Sequence, residues 1–166
     1  MQYISSDTSV WIDSSTIDRL GIPFLLPYTY IMSNDAIEDE LLSPSGLGDT
    51  LNSFGLLPVE ITYEEFALAE NYGNVYIRLS KYDRIALAIA KTRDIILLTG
   101  DGALRKAAKI EGVTIMGTLG ILDQLKENEL IDVPEYRYCL QSLLDNNGMS
   151  IRLPKSEIQS RLDATL

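Results

Sequence analysis

Hydrophobic and polar positions along the chain predict an α/β protein. Residues 95–98 form an unbroken aliphatic run, which is typical of a strand buried on both faces of a parallel sheet. Stretches with apolar residues three or four positions apart separate such runs and predict helices. The predicted strands are residues 3–6, residues 22–32 with an interruption at Pro27, residues 56–61, 95–98 and 113–116.

Helix signals follow these strands. Thr62 and Glu65 form a capping-box pattern that predicts a helix from residue 63 to about residue 72. Residues 43–53 are rich in Ser, Gly and Pro, and this composition predicts a loop or a short broken helix. The other predicted helices begin at Thr8 or Ser9, at residues 36, 83 and 102, after Gly117, at residue 136, and at Pro154, a favourable first-turn residue.

The order of these elements predicts a three-layer α/β/α sandwich around a central, mostly parallel sheet of about five strands, with further helices at the C-terminus. A chain of 166 residues that is 46% hydrophobic is long enough for one well-formed core. We expect a domain over residues 1–132 and a C-terminal helical extension over residues 133–166, packed on the same domain.

Composition excludes several kinds of chemistry. The chain has no histidine, which excludes His-ligated zinc, a Ser-His-Asp triad and acid–base catalysis by histidine. Its one cysteine, Cys139, has no partner for an internal disulfide, so any metal must be held by oxygen atoms. The apolar runs are too short for a membrane span and the N-terminus lacks the pattern of a signal peptide, so we expect a cytoplasmic protein without membrane contact.

Charge is unevenly distributed. The net charge of −10 argues against a nucleic-acid partner, because Lys and Arg supply most of such affinity. Eight of the fourteen basic residues nevertheless fall within residues 78–109. They are either solvated helix faces with ordinary ion pairs or positive charge concentrated near a site.

Four acidic residues stand at or near helix starts: Asp7, Glu40, Asp83 and Asp101. Asp7 and Asp101 follow predicted strands, where ligand sites of open α/β sheets lie. Glu40 shares the apolar side of its predicted helix, whereas Glu38 and Asp39 turn away. Each acid alone is explained by helix capping. Together at one sheet edge they would repel one another unless a divalent cation bound, and oxygen ligands suit Mg²⁺ or Mn²⁺.

The chain resembles the PIN-domain family of metal-dependent nucleases, which includes VapC-type toxins of toxin–antitoxin pairs. The likeness extends to about Leu122 and is carried by three motifs: SDTSVWID near the start, SNDAIEDELL, and LSKYDRIALAIA followed by LLTGDGALRKAAKIEGVTIMGTLGIL.

The resemblance implies that Asp7, Glu40, Asp83 and Asp101 form an acidic quartet that binds one or two Mg²⁺ or Mn²⁺ ions and hydrolyses RNA phosphodiester bonds, leaving 5′-phosphate and 3′-hydroxyl ends. Hydroxyls would assist the quartet and basic residues would contact phosphates; the former are Thr8, Ser9 and Thr99, and the latter Arg84, Arg105 and Lys106. We further expect a homodimer and, for a toxin, an antitoxin protein as partner.

Two alternatives remain at this stage. One is a PIN-like scaffold that binds RNA or protein without turnover. The other is a phosphatase of the haloacid dehalogenase type, suggested by the strand that ends at Asp7 and by Gly100-Asp101-Gly102. That phosphatase family needs an aspartate two residues after its nucleophile, where this chain has Ser9. Gly117 and Gly120 form a lone GxxG, which indicates close packing more than anion binding.

Overall fold

A five-stranded, all-parallel sheet forms the centre of the protein. The computed structural model describes residues 2–149 and 151–166. The strands are β1 (Gln2–Ser6), β2 (Tyr28–Ser33), β3 (Leu57–Val59), β4 (Ile96–Leu98) and β5 (Ile115–Met116). Their spatial order is β3-β2-β1-β4-β5, so the chain winds outward in both directions from β1. In the central register Ile4 of β1 lies beside Tyr30 of β2 and Ile96 of β4.

Helices cover both faces of the sheet. Within the described residues they are α1 (Thr8–Thr16), α2 (Asn34–Glu40), α3 (Leu47–Phe54), α4 (Tyr63–Val75), α5 (Lys81–Arg93), α6 (Gly102–Ile110), α7 (Thr118–Glu127), α8 (Val133–Asp145) and α9 (Lys155–Ala164), with a 3₁₀ turn at Ile22–Leu25. The three-layer α/β architecture predicted from the sequence is confirmed.

Two hydrophobic clusters lie on opposite faces of the sheet, because successive strand residues point to opposite sides. Leu98 packs in a cluster with α1, α3 and α7–α9, whereas its neighbour Leu97 packs in a cluster with α4–α6. The C-terminal helices contribute fully buried side chains to the first cluster, among them Leu140 and Ile158. The predicted boundary at residue 132 between the domain and its C-terminal extension stays a prediction.

One predicted element is wrong in type, and a second is more regular than predicted. Residues 22–25, expected to be strand, form the 3₁₀ turn, since Pro23 fixes φ and has no N–H to donate to a sheet ladder. Tyr30 then anchors that turn by donating its hydroxyl to the Pro23 carbonyl at 2.7 Å. Residues 43–53, expected to be a loop or a short broken helix, contain most of the short but unbroken helix α3, because Leu47 and Leu51 bury the same helix face.

Several element boundaries also differ from the predicted ones. Ser80, not Asp83, is the N-cap of α5, and Pro154 is the N-cap of α9 instead of a first-turn residue. The capping box of Thr62 and Glu65 is present, but α4 continues to Val75. Strands β3 and β5 are shorter than predicted. Within the described part of the chain, no helix has the length and apolar character needed to cross a bilayer.

Candidate metal-dependent active site

The carboxyl ends of β1 and β4 bring two of the predicted acidic residues to one sheet edge. Asp7 follows β1 directly and donates its backbone N–H to the Leu98 carbonyl at 2.9 Å. Thr99, Gly100 and Asp101 follow β4. Parallel strands end on the same side, so these residues meet at the position where open α/β sheets bind ligands.

Two hydroxyl groups hold the Asp7 carboxylate in place. Ser9 Oγ and Thr99 Oγ1 each donate to Asp7 Oδ2 at 2.9 Å. Each hydroxyl in turn accepts a backbone N–H at 3.0 Å, from Gly100 and from Asp101 respectively. Asp7 is 5% exposed, and its orientation is therefore fixed by the backbone that follows β4.

Helix α2 places Glu40, its last residue, at the same end of the sheet, so the predicted position near a helix start is wrong. Ser33 caps this helix by accepting the Ala36 N–H at 3.2 Å. Glu40 is half-buried and its Oε1 accepts the Thr8 hydroxyl at 2.7 Å, whereas Glu38 and Asp39 are exposed. The inward direction predicted for Glu40 from helical spacing agrees with this placement.

Asp83 lies in the first turn of α5, inside a capping box. Its Oδ2 accepts the Ser80 backbone N–H at 3.0 Å, and Ser80 Oγ accepts the Asp83 N–H at 3.2 Å. Burial raises the pKa of Asp83; its hydrogen bonds with Ser80 oppose that rise and the nearby charge of Asp101 adds to it. Asp83 therefore stabilises a helix terminus and still belongs to the electrostatic environment of the other acids.

Asp101 is the N-cap of α6, as predicted. Its Oδ2 accepts the Leu104 N–H at 2.9 Å, which satisfies one of the free donors of the first helical turn. The side chain is half-buried beside Gly100 and Gly102. The structure thus supports the capping role considered for Asp101 and leaves its role as a metal ligand a prediction.

Burial, with a smaller contribution from mutual repulsion, raises the pKa values of these carboxylates. Burial and, next, the charge of Asp83 raise the pKa of Asp7 to about 6, although the hydroxyls of Ser9 and Thr99 lower it. Burial also raises the pKa of Glu40, with further contributions from Asp83 and Asp39. Perturbed carboxylates grouped at a sheet edge are typical of functional sites.

The chemistry of these donors fits a hard divalent cation, because all are oxygens and several disfavour their own ionised form in its absence. Among residues 2–149 and 151–166, however, no three acidic, histidine or cysteine side chains form a ready-made metal cage. Magnesium ions commonly use one or two carboxylates together with waters and substrate phosphates. The arrangement suits that kind of site.

The predicted phosphate-binding residues point in different directions. Arg105 is exposed next to the site, with Nη1 3.4 Å from the Thr99 carbonyl oxygen. Lys106 is exposed on the following position of α6. Arg84 instead donates its Nε to the Ser80 carbonyl at 3.3 Å and lies against Gly73 of α4. All three phosphate contacts stay predictions, and this orientation favours Arg105 over Arg84.

Asp13 is a buried carboxylate that the sequence analysis missed. It lies one helical turn after Ser9 on α1, is 4% exposed, and accepts the Thr118 hydroxyl at 2.8 Å. Burial raises its pKa to about 6. The spacing of four residues from Ser9 was the available signal, since it places both side chains on one face of α1.

We expect Asp13→Asn to weaken the pH dependence of stability in metal-free protein. A carboxyl whose pKa is raised on folding stabilises the protein fully at pH below its unfolded pKa, and this contribution is lost as pH rises through about 6. As pH rises from 4.5 to 7.5, the free energy of unfolding of the variant should therefore increase by about 1–3 kcal/mol relative to that of wild type. Urea unfolding at both pH values measures this. If the difference in unfolding free energy between variant and wild type is the same at both pH values, burial does not oppose the ionisation of Asp13 and the prediction is wrong.

Comparison with protein families gives a match over almost the entire chain. The family model DUF3368, described as a PIN domain, matches residues 3–165. Neither a comparison with curated proteins nor one with solved structures finds a match.

Proposed function

Since the chain belongs to the PIN-domain family, we propose that it is a Mg²⁺- or Mn²⁺-dependent endoribonuclease that hydrolyses RNA phosphodiester bonds. PIN domains are generally nucleases and typically use divalent metals. The observation that most supports activity in this chain is that Asp7 and Glu40 line one small cavity beside the carboxyl end of β1, each held by a hydroxyl group. The family assignment gives no support to the phosphatase alternative.

A bound divalent ion would supply Lewis acidity and a water of lowered pKa. Asp7 is the best-placed residue to hold it, because Ser9 and Thr99 fix the carboxylate and prevent its rotation. Thr8 orients Glu40 in the same way. Asp83 and Asp101 provide further negative charge close by. The side chains are thus positioned before substrate arrives, so little reorganisation is needed during the reaction.

RNA is the substrate we propose, with products that carry 5′-phosphate and 3′-hydroxyl ends. The acidic quartet, with Thr8, Ser9 and Thr99 beside it, would act on the scissile phosphate, and Arg105 and Lys106 would offset the repulsion between RNA and an acidic protein. A role as the toxin of a toxin–antitoxin pair, an antitoxin partner and a homodimer are also proposals. A neighbouring gene for a short DNA-binding protein with a disordered tail would support the toxin role.

Cleavage should depend strictly on a divalent ion. We expect purified protein to cleave single-stranded RNA in Mg²⁺ or Mn²⁺, to lose this activity in excess EDTA, and to regain it when the metal is restored. Denaturing gel electrophoresis of end-labelled RNA measures the rate and reveals the product ends.

A matched control variant shows whether the loss of a carboxylate outside the site affects this activity. Asp94→Asn removes one carboxylate at the C-cap of α5, near the amino end of β4 and so at the other end of the strand from the site. Asparagine tolerates the left-handed backbone conformation of this residue. It should cleave like wild type. If RNA stays intact with both metals although calorimetry detects metal binding, the nuclease proposal fails and a scaffold without turnover is favoured.

A further inference from the structure

Beside Asp101 a cleft opens between the core domain and the C-terminal segment. One part, of about 360 Å³, is lined by Asp13, Asp101 and Leu153. A second part, of about 480 Å³, extends to the start of α7 and is lined by Arg105. Gly100, Gly102, Arg152 and Leu153 line both parts, so the two cavities adjoin one another. Their size is that of sites for small organic ligands, here one or two nucleotides.

The C-terminal segment is fixed against the domain on both sides of Arg152. Ile151 is completely buried, and its carbonyl accepts the Gly148 N–H at 2.8 Å. On the other side, the Asn147 side-chain amide donates to the Leu153 carbonyl at 2.7 Å. Arg152 itself is exposed. A buried residue before it and a hydrogen bond after it hold its backbone at the wall of the cleft.

Three arginines and three acidic residues line this cleft: Arg105, Arg152 and Arg161, and Asp13, Asp101 and Glu157. Arg161 is occupied by a bidentate pair with Asp123, but no ion pair involves Arg105 or Arg152 within residues 2–149 and 151–166. Glu157 is the acidic residue that lines the part of the cleft near α7. Arginine binds phosphate oxygens through two parallel N–H donors, so two unpaired arginines suit a nucleic-acid backbone.

Small residues keep the floor of the cleft open. A Cβ atom at Gly117 would stand 2.7 Å from Arg105 Nη1, so a larger residue there would displace the guanidinium from its present position. A Cβ at Gly102 would meet no atom within 4 Å, which leaves space directly beside Asp101. The nearby side chains of Ile12 and Leu153 add apolar surface to the cleft.

We infer that this cleft binds the nucleotide next to the scissile phosphate of single-stranded RNA, and that Arg152 of the C-terminal extension contacts its phosphate together with Arg105. This inference rests on the proposed nuclease function, because it places the cleft beside the reacting phosphate. It makes the C-terminal extension one wall of the substrate site.

Arg152→Ala is the direct test. We expect about tenfold weaker binding of a short, 5′-fluorescein-labelled, single-stranded oligoribonucleotide of random sequence, and a salt dependence reduced by about one phosphate contact. Binding is measured by fluorescence anisotropy in Ca²⁺, with the RNA checked for integrity on a gel. In cleavage assays with Mn²⁺ the variant should raise KM by a similar factor and change kcat less than about twofold, since Arg152 binds substrate without touching the reacting atoms.

Two controls separate this effect from a general loss of charge or fold. Lys109→Ala removes one exposed positive charge at the far end of α6 and should bind RNA like wild type. Arg152→Lys keeps the charge but not the paired donors and should show an intermediate loss. Thermal unfolding of each variant should match that of wild type.

The outcomes distinguish the two proposals. If wild type cleaves RNA and Arg152→Ala has unchanged affinity and KM, the cleft inference is overturned while the nuclease function stands. If wild type binds RNA through Arg152 but never cleaves it, the cleft is supported and the nuclease function fails. A loss of affinity as large in Lys109→Ala as in Arg152→Ala would also overturn the inference, since it would show that only net charge matters.

Discussion

Replacing Asp7 with asparagine is expected to lower the rate of RNA cleavage more than about a hundredfold without unfolding the protein. Loss of a residue that supports a metal ligand typically costs about 10–100-fold, and loss of the ligand should cost more. Asparagine keeps the shape of the side chain and an oxygen that accepts the Thr99 and Ser9 hydroxyls. What it removes is the negative charge.

The stability of the Asp7→Asn variant gives a second, independent readout. Burial and Asp83 raise the pKa of Asp7 to about 6, so above that pH the metal-free protein carries an unfavourable buried charge. The variant should be as stable as wild type or more stable at pH 7.5, and calorimetry should show weaker Mn²⁺ binding. Asp94→Asn is the matched control. Full activity in Asp7→Asn would exclude Asp7 from the site.

Trp11→Ala is expected to cause the largest loss of stability. Trp11 is completely buried, stacks on Phe24 with ring centroids 5.2 Å apart, and meets Tyr30 edge-on at the same distance. Truncating a buried Trp costs about 3–5 kcal/mol, which for a protein of this size lowers Tm by roughly 10 °C. The indole N–H also donates to Ser6 Oγ at 3.1 Å, next to Asp7, so the loss should extend to the site.

Urea unfolding and calorimetry measure this prediction, with Trp11→Phe as control. Phenylalanine keeps an aromatic ring beside Phe24 but loses the hydrogen bond to Ser6, so its cost should be about 1–2 kcal/mol. If Trp11→Ala unfolds within about 1 kcal/mol of wild type, the packing between α1, the 3₁₀ turn and β2 is not as described.

Local patterns predicted the sheet and most helices because they are repeated and strong. The unbroken aliphatic run at residues 95–98 is typical of a buried parallel strand. Thr62 and Glu65 specify a helix start through hydrogen bonds between close neighbours. Helix α3 was predicted only as one of two alternatives, a loop or a short broken helix, since the Gly and Ser residues around Leu47 and Leu51 are local loop signals. Its helical state depends on burying those leucines in the core, which only the tertiary structure reveals.

The candidate site was predictable to the extent that strand ends determine it. Asp7 and Asp101 follow strands, and their position at one edge follows from parallel topology. Asp13 and Arg152 required more. Asp13 meets Thr118, which is 105 positions later in the chain, and Arg152 reaches the cleft through the fold of the C-terminal segment. The four-residue spacing from Ser9 indicates the face of α1 that carries Asp13, but a contact between residues so far apart leaves no pattern in the sequence.

The two hydroxyls beside Asp7 also determine where that side chain takes up a proton. Ser9 and Thr99 each have a single hydroxyl proton and each already accept a backbone N–H, so both protons point to Asp7 Oδ2. An oxygen that accepts two hydrogen bonds is a poor position for an added proton. Near pH 6 the proton therefore binds Oδ1, and acid converts that one atom from a lone-pair donor to a hydroxyl while Oδ2 keeps its partners.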